Sequence, residues 1–239
     1  MNRQRASRSI LLLLLIYLVN LAILFLTPSE STVAPRTAIQ AWYGLYFTNP
    51  EGAAASSLRG GPDAMLAASI DAASEKVDVA AQDIDLWSIR DALIDAHQRG
   101  LRVRVVTETD YSTGPEIQAL VLAGVQVRED ERSPLMHNKF VVIDEEEVWT
   151  GSMNLTVNGA YRNNNNLLRI QSAWLAGQYI EEFEEMFIED RFGALSWPDT
   201  PQSTVEVEGT QIEVLFSPDM RVGERIAALL LGAEKSIHV

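Results

Sequence analysis

The stretch Met136–Asn154, MHNKFVVIDEEEVWTGSMN, limits what this chain can fold into more than any other. His137 and Lys139 stand two residues apart, so on an extended backbone both side chains leave the same face. An unbroken apolar run follows, Phe140-Val141-Val142-Ile143, and Asp144 closes it. A turn of acids comes next, then a second short strand (Val148-Trp149-Thr150) and a small polar corner, Gly151-Ser152-Met153-Asn154. The pattern predicts a buried hairpin carrying a polar cluster, which is how a rigid active site is usually built.

The spacing H-x-K-x(4)-D followed by G-S-x-N resembles the signature of the phospholipase D superfamily. Asn163 to Asn166 stand where that family carries a second Asn-rich element, and the resemblance extends over Leu66 to Phe187. It implies a phospholipase D-like α/β sandwich around a mixed central sheet. It also implies a phosphodiesterase in which a neutral nitrogen of His137 attacks phosphorus and forms a phosphohistidine. An imidazole suits that step because its ordinary pKa lies near neutrality. Lys139 would supply a fixed positive charge, and Ser152 and Asn154 neutral donors, around an anionic phosphoryl group. With those groups in place the resemblance implies no metal and no cofactor. Asp144 is counted with His137 and Lys139 in the motif, as an orienting and structural group. Many relatives carry, in the Asn-rich element, a Glu that holds the nucleophilic His. Here that position is Asn165, so Asn165 is the candidate partner of His137, and Asn165 and Asn166 are candidate substrate-side groups. The bland alternatives are a structural His–Lys hairpin and a polar turn at Asn163 to Asn166.

Composition narrows the chemistry. At 239 residues, with 47% apolar and 22% charged, the chain is long enough for one good core and the start of another. Cysteine is absent, which excludes disulfides, thiolate metal sites and a cysteine nucleophile. Formal net charge is −14; without Arg3, Arg5 and Arg8 it is −17, from 16 basic against 33 acidic residues. A protein that tracks a phosphate backbone needs a basic patch to overcome such a field. Arg99, Arg102 and Arg104 are the one basic cluster, and they read as solvated side chains beside a helix end and a strand. The acidity therefore disfavours nonspecific nucleic-acid binding.

Along the chain, residues 1–27 comprise a basic N-terminus and the apolar run Ile10–Leu26. That run meets the lower limit of about 17 residues for a membrane-spanning helix. The three arginines before it predict a cytoplasmic N-terminus and an extracytoplasmic remainder. The alternative is a signal peptide cleaved after Ala34, against which Pro35 argues. Residues 28–36 read as a linker and 37–192 as the catalytic domain. Within it, helices are expected over Ala64–Ser74 (Met65, Leu66, Ile70 and Ala73 inward), from a Ser88 cap to Gly100, from Pro115 to Gly124, and over Trp174–Phe192. Strands are expected at Val77–Ile84, Leu101–Thr107, Val125–Arg128 and Leu167–Gln171.

Residues 193–210 read as a linker, and 211–239 as the start of a second copy of the same domain. Leu66, Ile70, Ala73 and Val77-Asp78-Val79 line up with Ile226, Leu230, Ala233 and Ile237-His238-Val239 at a constant offset of 160 residues. The family works with two facing motifs: one His attacks, the other protonates the leaving oxygen and then activates water. The second motif is expected from a missing C-terminal half or from a homodimer partner. Three functions are open: a membrane-anchored phosphodiesterase acting on phospholipid head groups by hydrolysis or transfer, a nuclease of the same superfamily, and an inactive binding module.

Overall fold

The computed structural model describes residues 38–39, 42–196, 204–218 and 220–238. The apolar run Ile10–Leu26 and the 28–36 linker lie outside the described residues. Among the described residues, no helix is long and apolar enough to cross a membrane.

Eight strands form one mixed sheet among the described residues: β1 (Ala38–Ile39), β2 (Tyr43–Phe47), β3 (Lys76–Ala81), β4 (Arg102–Glu108), β5 (Gln126–Asp130), β6 (Lys139–Ile143), β7 (Glu147–Gly151) and β8 (Asn166–Gln171). Their order is β1-β2-β8-β7-β6-β3-β4-β5. β3, β4 and β5 run parallel, while β6 enters antiparallel beside β3 and starts a meander through β7 and β8 to β2. The parallel strands are joined by helices, as parallel crossovers require. These are α3 (Trp87–Gln98) and α4 (Pro115–Ala123), preceded by α1 (Ala53–Ser57) and α2 (Pro62–Ala72). α5 (Val157–Tyr161) is a short turn of helix between β7 and β8.

Both faces of the sheet are covered, so β6 carries an unbroken apolar run and even the polar residues Asp78 of β3 and Arg104 of β4 are buried. β3 is buried at all six positions. Along β6, Val141 and Ile143 join Leu66, Ile70, Leu93 and Leu120 on the face of α2, α3 and α4. Phe140 and Val142 join Phe183 and Met186 of α6 (Ala173–Phe187) on the other. That second face also receives a separate hairpin, β9 (Thr204–Val207) with β10 (Thr210–Glu213), through Val205, Val207, Ile212 and Val214.

Several expectations require correction. Met65 is 43% exposed, whereas Leu66 and Ile70 are buried as expected. α3 begins at Trp87 with Leu86 as its N-cap; the Ser88 hydroxyl donates instead to Asp63 Oδ2 at 2.7 Å. The 193–210 segment is not linker throughout, because β9 lies inside it and the hairpin crosses the 210/211 boundary. A helix, α7 (Val222–Leu231), starts 160 residues after the start of α2. Ile226 and Leu230 are 50% and 47% exposed, where their counterparts Leu66 and Ile70 are fully buried.

Arg104 is the largest correction, since it is buried and not solvated. It stands on β4 directly opposite Asp78 of β3. Its guanidinium donates to both Asp78 oxygens at 2.7 and 2.8 Å and to Glu184 of α6 at 2.8 and 3.1 Å. It also lies over the rings of Phe183 and Phe187, 4.8 and 5.0 Å from their centroids. A planar five-donor fork can satisfy two carboxylates at once, and this one ties α6 to the centre of the sheet. Removing one member of a buried pair leaves the other charge uncompensated. Asp78→Ala is therefore expected to lower unfolding stability by about 3–5 kcal/mol. Glu184→Ala, at the half-exposed outer end, should cost no more than about 1 kcal/mol. Urea unfolding of the two variants measures the difference.

Candidate active site

The register of the sheet gathers the polar groups. Ala81 at the end of β3 pairs with Lys139 at the start of β6, and Phe140 pairs with Thr150. Gly151 pairs with Leu167, and Asn166 with Phe47 at the end of β2. Lys139, Gly151, Ser152 and Asn166 thus share one edge, at the carboxyl ends of the parallel strands β3 and β4. Open α/β sheets commonly bind ligands at that edge.

His137 stands just ahead of β6 and is exposed. Its loop is pinned from the neighbouring strand end: the Met136 N–H donates to Glu108 Oε2 at 2.6 Å, and Glu108 is buried. Asn138 Nδ2 donates to Glu182 Oε1 of α6 at 3.2 Å. Lys139 Nζ donates to the His137 carbonyl at 3.0 Å, which holds the ammonium within the motif. Partial burial and the Lys139 charge both lower the His137 pKa, so the neutral ring is favoured. Burial likewise lowers that of Lys139.

The second wall is a backbone corner that tolerates no side chains. Gly151 has φ of 150°, and a Cβ there would lie 2.5 Å from the Asn166 carbonyl oxygen. At Gly159 a Cβ would lie 2.2 Å from the Asn154 carbonyl oxygen. Ser152 Oγ donates to Asn165 Oδ1 at 3.0 Å and accepts from the Asn166 N–H at 3.1 Å. Asn165 Nδ2 donates to the Gly159 carbonyl at 2.9 Å. Asn154 Oδ1 is buried with no hydrogen-bond partner among the described residues.

Two assignments change. Asn165 is engaged at both ends of its amide, by Ser152 and Gly159, and so organises the corner; among the described residues the His137 ring has no hydrogen-bond partner. Asp144 lies at the opposite end of β6, roughly 20 Å from His137 at a strand rise of about 3.3 Å per residue. Its carboxylate accepts from the N–H groups of Ser74, Glu75 and Lys76 at 2.8–2.9 Å and from Ser74 Oγ at 2.9 Å. Burial works to raise its pKa, but those bonds outweigh it and hold the carboxyl below the usual range. Asp144 fastens the β6–β7 turn to the start of β3 and does not meet the reacting groups.

Sequence inspection did not mark Glu108 or Thr48. Thr48 accepts from the Asn165 N–H at 2.6 Å and donates to the Asn163 carbonyl at 2.7 Å, which sets the Asn-rich loop. The one available signal for Glu108 was an acid closing an apolar strand, as Asp144 does.

A family model described as "Cardiolipin synthase, PLD-like domain" matches residues 66–187. The chain belongs to the phospholipase D-like family. Mitochondrial cardiolipin hydrolase of Xenopus tropicalis is 41% identical over 104 residues, 43% of this chain and 50% of that protein. The Homo sapiens protein of the same name is 41% identical over 93 residues, 38% of this chain and 37% of its own length. A phospholipase D of Rickettsia bellii is 32% identical over 120 residues, 49% of this chain and 60% of that protein. The chain thus spans about half the length of the first of these relatives and less of the second. Among solved structures, the phospholipase D family member Nuc from Salmonella typhimurium matches with a TM-score of 0.50 and 26% identity, covering 60% of this chain and 93% of that one.

Two outcomes are expected. Asp144→Asn should lose about 1–2 kcal/mol of stability through its missing acceptor capacity. Because the folded carboxyl titrates below its unfolded value of about 3.9, the stabilisation is present above that pH and fades as pH falls through the depressed range. The stability difference between wild type and variant in denaturant titrations should be smaller at pH 3 than at pH 7. For His137, an NMR titration should give a midpoint below about 6.5, and Lys139→Met should move it upward by removing the neighbouring cation.

Proposed function

We propose that this chain cleaves phosphodiesters through a covalent phosphohistidine at His137, with phospholipid as the substrate class. The observation that carries the reading is the accessible imidazole held beside Lys139, at the sheet edge that also carries Ser152 and Asn166. A neutral ring nitrogen attacks phosphorus, the bond to the leaving oxygen breaks, and that oxygen takes a proton. Water then attacks the phosphorus–nitrogen bond, releasing a phosphomonoester and free His137. Lys139 neutralises part of the charge that builds on the non-bridging oxygens, which is worth most in a water-poor site. Asn154 and Ser152 supply orientation, Ser152 after exchanging its bond to Asn165.

Lipid is favoured over nucleic acid by the names of the relatives and by the net charge of −14. A proton donor for the leaving oxygen must come from elsewhere. His97 lies on α3, and His238 sits at 3.1 Å from Ser236 Oγ in the exposed segment after α7. We infer that a second motif, in a later repeat or in a second copy of the chain, faces His137. We also infer that the apolar run Ile10–Leu26 keeps the domain at a membrane, on its extracytoplasmic side.

His137→Ala should reduce turnover by at least a thousandfold while leaving the thermal melt within a few degrees of wild type; near-normal turnover would remove His137 as the nucleophile. EDTA should leave the rate unchanged, and a loss reversed by a divalent cation would contradict attack by histidine alone. Release of head group from phosphatidylcholine or cardiolipin, set against cleavage of single-stranded DNA, decides between the lipid and nuclease alternatives.

A further inference from the structure

The catalytic reading says nothing about what lies behind the imidazole. A cavity of about 650 Å³ opens there, within the usual range of about 300–1,000 Å³ for small-molecule sites. His137 stands in its wall beside Met136. The floor is hydrocarbon and continuous with the core: Met136, Met186 and Phe192 are 4%, 2% and 2% exposed and belong to one apolar cluster. The far wall is Leu215, Phe216 and Val222, from the segment that follows β10. Phe216 is fixed in place by edge-to-face packing on Tyr179, at 5.1 Å between centroids. Leu135, 58% exposed, also borders the cavity.

The polar members of the wall do not suit a polyanion. Among the described lining residues the cation is Arg132, and its guanidinium is already bidentate on Asp130 at 2.9 and 3.0 Å and lies over Phe192. Glu182 adds a carboxylate to the same wall. A nucleotide chain passing His137 would meet hydrocarbon and an acid where it needs cations. An alkyl chain would displace water from the apolar surface of Met136, Met186, Phe192, Leu215 and Phe216. The far wall and Phe192 lie beyond residue 187, where the family match ends.

We propose that this cavity is a hydrocarbon site, which receives the alkyl or acyl part of a lipid phosphodiester while its phosphorus sits at His137. Leu215, Phe216 and Val222 then act as specificity residues, and the substrate class follows from them and not from the motif alone. This rests on the phosphodiesterase reading for the position of the phosphorus, but the cavity can be tested by binding alone.

The experiment is calorimetric titration of the whole chain with ethyl, butyl, hexyl and octyl phosphate, each below its micelle concentration. Leu215→Glu and Val222→Glu serve as two independent variants, each checked for an unchanged melt. Affinity is expected to rise about three- to fourfold per added methylene in wild type, the amount that burial of a methylene supports. The rise should flatten at least threefold in either variant. In turnover, the ratio of kcat/KM for a long-chain over a short-chain soluble phosphatidyl ester should fall about tenfold in the same variants. Affinity independent of chain length in wild type would overturn the proposal, as would tighter binding of a thymidine dinucleotide than of octyl phosphate. Chain-length-dependent binding without any phosphodiester turnover would sustain the cavity and refute the catalytic reading. Turnover without chain-length dependence would do the reverse.

Discussion

The pairing of β6 between β3 and β7 is the constraint on which the site depends. β6 is a five-residue strand apolar on both faces, so its register cannot slip by one residue without moving each side chain into the other layer. With the register set, the polar residues that could not be buried lie at the two ends. Lys139 falls at the edge shared with Ser152 and Asn166, and Asp144 at the far edge, where three backbone N–H groups await an acceptor. One strand therefore separates the chemistry from the anchoring, although the motif runs through both.

The two faces of the sheet are stabilised differently. Toward α2, α3 and α4 the packing is aliphatic, with the buried Asp63 carboxylate accepting from Tyr161 at 2.6 Å and Ser88 at 2.7 Å. Toward α6 it is aromatic and charged, centred on Arg104. The second arrangement costs desolvation of three charged groups and repays it only through close bidentate geometry. It gives α6 one position on the sheet, and α6 in turn carries Glu182 and Met186 to the loop that holds His137.

The parts legible in the sequence were those set by local chemistry. The 160-residue offset between α2 and α7 was visible, as were Pro115 and Gly124 at the ends of α4 and the alternation of strands with helices. The polar corner could be placed because its residues are close in sequence and small. Long-range partnerships were not legible. Arg104 looks like a surface cation until β3 places Asp78 opposite it. Ser88 looks like a helix cap until Asp63, 25 residues earlier, accepts its hydrogen bond. The resemblance cast Asn165 as the partner of His137, yet Ser152 and Gly159 claim its amide. The β9–β10 hairpin was hidden by a Ser/Thr/Pro-rich composition that resembles a linker and by strands only four residues long.

The tether between Met136 and Glu108 has a further consequence. Besides its bonds to Lys139 and α6, the loop that presents the imidazole is held by a carboxylate at the tip of β4, on the far side of β3. Fraying of β4 at that tip would loosen the loop while β6 and β7 stayed paired. Amide protons of Met136 and of the last residues of β4 should then exchange with solvent in a common opening, shallower than global unfolding, so that His137 belongs to a cooperative unit different from that of the Ser152–Asn165 corner.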